Sequence, residues 1–101
     1  MHISTALIGT EFQVRLSDRM TFADHQAFRI LLKEIDDSDA KSCVLELSGL
    51  TAIDSAGLGM FIIAAEAGKA AGWTLSLVAP APRVKQLLLL ARFDRILTMK
   101  D

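Results

Sequence analysis

The chain has a single cysteine, Cys43, among its 101 residues. One thiol cannot build a disulfide framework or a cluster of thiolate metal ligands, so both kinds of scaffold are excluded. Cys43 lies inside an apolar segment, which is typical of a buried side chain with a packing role in a reducing compartment. We therefore expect a cytoplasmic protein.

A strong charge of either sign is also missing. The chain has 11 Lys and Arg against 12 Asp and Glu, which gives a formal net charge of −1. The basic residues are scattered along the chain, whereas nucleic-acid binding usually requires a basic patch. We expect no nucleic-acid partner.

No apolar run is long enough to cross a bilayer. The most apolar stretch, Leu87–Leu90, is short and has Lys85 and Arg92 beside it, whereas a spanning helix needs about 20 apolar residues. The first residues, Met1–Thr5, lack the basic segment and apolar core of a secretory signal. We expect neither export nor membrane insertion.

The 51% hydrophobic and 23% charged content is that of a folded globule, which we interpret as one domain over residues 1–101. Alternating apolar residues predict an N-terminal hairpin with strands at 3–7 and 12–16, around a turn at Gly9 and Thr10. Apolar spacing and capping residues then predict three helices and three more strands. The helices are expected at 21–36, at 55–71 and from Pro82 to 91, and the strands at 42–48, 73–79 and 96–99.

This ββαβαβαβ order predicts an α/β fold. Right-handed crossovers between successive strands build a mixed, mostly parallel sheet of about five strands, with the helices packed against it and the hairpin as its antiparallel part. Partner and ligand sites of such sheets tend to lie beyond the carboxyl ends of the parallel strands.

The segment Asp54–Gly59, with sequence DSAGLG, lies where an apolar strand gives way to an apolar helix. Ser55 is therefore predicted at a helix N-terminus, where free backbone N–H groups and the helix dipole favour a cap or an anion. Two interpretations stay open. Asp54 and Ser55 can simply cap the helix, or the hydroxyl, flanked by the small Ala56 and Gly57, is presented to another protein.

Catalytic and ligand-binding motifs are absent around this segment. The nucleophile pattern G-x-S-x-G fails because Ile53 stands two residues before Ser55, and His2 and His25 both precede the serine. No G-K-[ST] follows Gly57, as a phosphate-binding loop would require, and the acidic segment 36–39 lacks the glycine and glutamate of a calcium loop. We expect no enzyme, no cofactor and no metal.

With these elements in place, the chain resembles the STAS domains of bacterial anti-anti-sigma factors over essentially its full length. Residues 54–59 match the family's D-S-[small]-G-L-G turn at the same strand-to-helix junction. Gly72 and Trp73 match the glycine and hydrophobic residue that begin the next strand, and Pro82–Val84 match a proline-led helix.

The resemblance implies a switch. In that family the matching serine, here Ser55, is phosphorylated by an anti-sigma factor that is a serine kinase, and a serine phosphatase resets it. The unphosphorylated form binds the anti-sigma factor, so that a sigma factor is freed for transcription. The resemblance implies a partner-binding surface made of Asp54, Ser55, Ala56, Gly57 and Leu58, together with Met20, Thr21, Phe22 and Asp24 before the first helix.

Two other functions stay open. One is a constitutive STAS scaffold or transporter-associated subunit, in which the Ser55 turn docks a partner without phosphorylation. The other is a small-ligand sensor with a pocket among Trp73, the hairpin and the second helix, although no converging polar cluster marks such a pocket.

Overall fold

Five strands form one sheet whose spatial order is the order of the chain. The computed structural model describes residues 1–101. The first two strands pair antiparallel as a hairpin, turning at Gly9 with φ 61°, and every later strand pairs parallel to its neighbour. The predicted mixed sheet is confirmed. Its strands are β1 (His2–Ile8), β2 (Glu11–Met20), β3 (Ser42–Ile53), β4 (Thr74–Val78) and β5 (Thr98–Lys100).

Three helices connect the parallel strands: α1 (His25–Asp37), α2 (Ser55–Ala71) and α3 (Pro82–Leu90). One short 3₁₀ turn, Phe22–Asp24, precedes α1, and another, Phe93–Arg95, follows α3. The sequence predicts that Thr21, with Asp24 three residues later, caps the first helix. Thr21 does cap with Asp24, but it caps the 3₁₀ turn, and α1 begins only at His25. The third helix was expected to reach residue 91, but it ends at Leu90, and Ala91 is exposed.

The core lies between the three helices and one face of the sheet. Alternate residues of the central strands, such as Leu45 and Leu77, are fully buried beneath the helices, and no polar side chain is buried. Three aromatic rings link the helical layer. Phe61 of α2 lies 6.2 Å from Phe28 and 6.4 Å from Phe93, measured between ring centroids. The second helix is thereby fixed between its neighbours.

Strand β3 is longer than the sequence analysis predicted. We expected Ser48 and Gly49 to end it, and that prediction is wrong, because the strand continues to Ile53. Gly49 is part of the pairing with β2: a Cβ there would lie 3.0 Å from the Cβ of Ser17. The glycine therefore permits a close approach of two strands, and β3 continues almost to the start of α2.

Candidate functional site

The carboxyl ends of β2 and β3 lie side by side. Met20 pairs with Ile53, and the Asp54 N–H donates to the Met20 carbonyl at 3.2 Å. The loop that leads into α1 and the turn that starts α2 therefore emerge next to each other. Two segments that are distant in sequence become one surface.

Asp54 ties these two segments together. As the N-cap of α2, its Oδ1 accepts a hydrogen bond from the Gly57 N–H at 2.8 Å. Its Oδ2 accepts from the Phe22 N–H at 3.2 Å. One carboxylate thus fixes both the first turn of α2 and the loop before α1. The capping interpretation holds for Asp54 and leaves Ser55 available for another role.

Ser55 is the first residue of α2 and its side chain is exposed. The side-chain hydrogen bonds of the junction go to Asp54, so the Ser55 hydroxyl is not needed as a cap. The backbone N–H groups of the first helical turn and the positive end of the dipole lie beside it. The residue is open to solvent, and the helix N-terminus favours a negative charge there.

Gly57 is buried and serves packing. A Cβ at this position would lie 2.6 Å from Ile53 Cγ1 and 3.1 Å from the Met20 carbonyl oxygen. Glycine therefore lets the first turn of α2 sit directly on the strand ends. The neighbouring Ala56 and Leu58 are half-buried, and each leaves part of its surface to solvent.

The loop before α1 presents an exposed aromatic ring. Phe22 is 72% exposed and stacks on His25, with 6.2 Å between the ring centroids. The Thr21 N–H donates to Asp24 Oδ2 at 2.8 Å in a capping box, which favours the observed conformation of the loop. That hydrogen bond holds the pKa of Asp24 below its usual value.

Met20, which the resemblance placed in the partner-binding surface, is fully buried. Its side chain belongs to the core, so it supports the surface from beneath and cannot itself contact a partner. We did not include His25 in the predicted surface, although its ring stacks on Phe22. The spacing of three residues, about one helical turn, could have indicated that the two side chains lie next to each other.

Three other features bear on function: metal ligands, the single thiol and the helices. No group of three or more His, Cys, Asp or Glu side chains is placed to hold a metal ion. Burial raises the pKa of the Cys43 thiol to about 12, which makes it a poor nucleophile. None of the helices has both the length and the apolar content needed to cross a membrane.

The pocket suggested for a small-ligand sensor is not present in the expected form. Trp73 is buried, its indole N–H donates to Asp36 Oδ1 at 2.8 Å, and its ring packs over Gly68. A shallow groove does run beside it, between α2 and the last strand. The hairpin takes no part in that groove.

Comparison with known proteins gives consistent results. A family model described as "Mlab, STAS domain" matches residues 3–98. A STAS-domain containing protein of Pseudomonas aeruginosa is 25% identical over 88 residues, which cover 87% of this chain and 86% of that protein.

Solved structures share the fold. An anti-sigma factor antagonist of Mycobacterium paratuberculosis superposes with a TM-score of 0.84 at 18% identity, covering 98% of this chain and 84% of that chain. The Bacillus cell fate determinant SpoIIAA, solved in its phosphorylated form, gives a TM-score of 0.75 at 12% identity, with 97% of this chain and 90% of that chain covered.

The family match covers nearly the whole chain, and both sheet and helices superpose on those of these structures. The DSAGLG turn occupies the strand-to-helix junction where the sequence resemblance placed it. The chain belongs to the STAS domain family.

Proposed function

We propose that this protein is an anti-sigma factor antagonist whose docking surface is switched by phosphorylation of Ser55. The observation that supports this most directly is an exposed hydroxyl at the N-terminus of α2, beside a hydrogen-bonded loop with an exposed Phe22 ring. A Bacillus protein of the same fold has been solved in a phosphorylated form, which is consistent with this function.

The proposed docking surface combines both segments of the junction. Ser55, Ala56 and Leu58 provide the α2 side, and the exposed Phe22 with Thr21 and Asp24 provides the loop side. Asp54 holds the two sides in register through its pair of hydrogen bonds. A partner that contacts both sides therefore meets a preformed surface.

Phosphorylation would change this surface without changing the fold. A phosphate adds about −1.5 to −2 charge and three acceptor oxygens. The N-terminus of α2 stabilises that charge, so the domain tolerates it. The partner, in contrast, would meet a dianion next to the Asp54 carboxylate, and an apolar or acidic contact surface would lose affinity.

In this mechanism the protein is a substrate and a ligand and does not act as an enzyme. ATP and magnesium belong to the anti-sigma factor, which is the serine kinase. A separate serine phosphatase restores the free hydroxyl. The unphosphorylated protein binds the anti-sigma factor, and a sigma factor is released for transcription.

Binding measurements on Ser55 variants test the switch. Ser55→Ala should bind the anti-sigma factor as tightly as the unmodified protein and stay bound when ATP is added. Ser55→Glu should raise the dissociation constant by about tenfold or more, because a charge then occupies the interface. Isothermal titration calorimetry measures both.

Gln86→Glu is the matched control, because it adds one negative charge at an exposed position of α3. It should bind like the wild type. If Ser55→Glu and Ser55→Ala bind equally well, or if Gln86→Glu weakens binding as much as Ser55→Glu, the proposed switch is wrong.

Measurement of the intact mass distinguishes the phosphorylation switch from the alternative, constitutive docking without phosphorylation. After incubation with the anti-sigma factor and ATP, the wild type should gain the mass of one phosphate group, and Ser55→Ala should gain none. Retained binding without any mass gain would instead support a scaffold that docks through the same turn.

A further inference from the structure

Strand β1 is an open edge of the sheet. It pairs with β2 along its whole length, from His2 opposite Ser17 to Ile8 opposite Glu11, and has no strand on its other side. In an antiparallel pair every second residue directs its N–H and C=O away from the partner strand. β1 therefore offers a row of free backbone donors and acceptors.

The usual protection of an edge strand is missing here. Such strands commonly carry a lysine, a proline or a bulge that prevents further pairing. β1 has the sequence HISTALI, with no proline and no Lys, Arg, Asp or Glu, and its register with β2 is regular. Nothing in the strand opposes the addition of another strand.

Apolar side chains flank this edge on the helix side. Ile3, Thr5 and Leu7 pair with the buried residues of β2 and so lie on the core face, where Leu7 is 50% exposed. Ile30 of α1 is 55% exposed and lines a hollow with Ile3 and Thr5. A partner at this edge would cover apolar surface that is now in contact with water.

The strand is complementary to itself. If two copies of β1 pair antiparallel about Thr5, then Ile3 lies opposite Leu7, and Ser4 lies opposite Ala6. Residues directly opposite each other point to the same face, so both Ile3–Leu7 pairs form on the helix side. The smaller Ser4–Ala6 pairs lie on the other face.

The flanking helix adds to this contact. The same two-fold rotation makes the two α1 helices antiparallel. Ile30 lies on the flank of α1 that faces β1, since it lines a hollow with Ile3 and Thr5. The exposed Ile30 side chains of the two copies therefore extend the apolar contact beside the paired strands.

We propose that β1 is a homodimerisation edge, at which two copies pair antiparallel around Thr5 and join their five-stranded sheets into one. The contact is completed by Ile3, Leu7 and Ile30. This surface is separate from the Ser55 turn, so each dimer presents two docking surfaces. Self-association can be measured on the protein alone and does not depend on the proposed function.

Disulfide trapping tests the register. Around a two-fold axis at Thr5 the two Cα atoms of that residue lie about 4.5–5.5 Å apart, within the range of a disulfide. Thr5→Cys should therefore form a covalent dimer under mild oxidation, about tenfold faster than Ser4→Cys, whose thiol faces Ala6 of the second copy. The buried Cys43 does not compete. Equal rates for both variants, or no covalent dimer, would overturn this register.

Sedimentation equilibrium tests the association itself. The wild type should show a monomer–dimer equilibrium between micromolar and millimolar protein. Leu7→Glu and Ile30→Glu should each weaken it by about tenfold or more, since each buries a charge in the contact. Leu90→Glu is the matched control, because Leu90 is 73% exposed at the end of α3. A wild type that stays monomeric, or equal weakening by Leu90→Glu, would contradict the proposal.

Discussion

Asp54 shows how much of the site depends on one side chain. Its carboxylate accepts from the Gly57 backbone N–H and also from the Phe22 backbone N–H, 32 positions before Asp54 in the chain. The DSAGLG motif therefore assigns different tasks to its first two residues. Asp54 holds the two segments together, and Ser55, which has no such structural task, is the residue modified in the proposed switch.

Replacing Asp54 tests this division of tasks. Asp54→Ala removes the helix cap and the link to Phe22, and should lower the free energy of unfolding by about 1–2 kcal/mol. Asp54→Asn keeps an oxygen for Gly57 and should lose less. Urea denaturation measures both variants. An asparagine variant as unstable as the alanine variant would show that the cap is not what stabilises the junction.

The placement of Ser55 could be predicted from the sequence, whereas the burial of Met20 could not. Ser55 could be placed at a helix N-terminus because strand and helix periodicities change at that point. The buried state of Met20 could not be foreseen from the motif, because it depends on how β2 pairs with the far end of β3. Burial at such a position is set by tertiary contacts.

At the scale of elements, α2 is constrained differently at its successive glycines. Gly57 packs against Ile53, and Gly68 packs against Trp73, where a Cβ would lie 2.6 Å from the Trp73 carbonyl oxygen. Gly59 has no atom within 4 Å of the position that a Cβ would occupy. Two of these glycines therefore fit the helix to the sheet, whereas packing does not require the third.

A pair of substitutions in the first turns of α2 should have opposite effects on stability. Gly59→Ala should raise the free energy of unfolding by about 0.5–1 kcal/mol, because it removes the conformational cost of glycine in a helix without a clash. Gly57→Ala should lower it by about 1–3 kcal/mol through overpacking against Ile53. Thermal denaturation followed by circular dichroism measures both, and a stabilised Gly57→Ala variant would contradict the observed packing.

The extent of β3 shows why some elements escape prediction. Leu47, Leu50 and Ile53 are all buried, yet they recur every third residue. β3 contains an extra residue at two places in its pairing with β2, and this breaks the alternation that identifies a strand. Regular elements such as α2 were predicted to the residue, because their pattern depends on local spacing alone.

At the scale of the whole molecule, two carboxylates couple folding to pH. The Thr21 N–H holds the pKa of Asp24 low. Burial acts to raise the pKa of Glu46, but the hydrogen bonds from Ser48 and Arg15 outweigh it and lower the pKa. Because both values are lower in the folded than in the unfolded state, the stabilisation is complete above the unfolded values and is lost as pH falls through the folded ones.

Acidification should therefore destabilise the domain. The free energy of unfolding should be constant near neutral pH and fall once the pH drops below the ordinary range of Asp and Glu, about 4. In Asp24→Asn the free energy of unfolding should decrease less with falling pH than in the wild type. Asp39→Asn, at an exposed position after α1, is the control and should behave like the wild type. Urea titrations over a pH series provide the measurement. An identical acid response of the wild type and Asp24→Asn would refute the role of Asp24.

The spatial order of the five strands bears on how the chain acquires its structure on the ribosome. Every strand adds to the edge left by the strand synthesised just before it, and each intervening helix can cover that addition at once. Each strand pairs with the strand that is translated directly before or after it, so its apolar face does not stay exposed until a distant segment is synthesised. The nascent chain can thus build its sheet one strand at a time, which limits the exposure of aggregation-prone intermediates during synthesis.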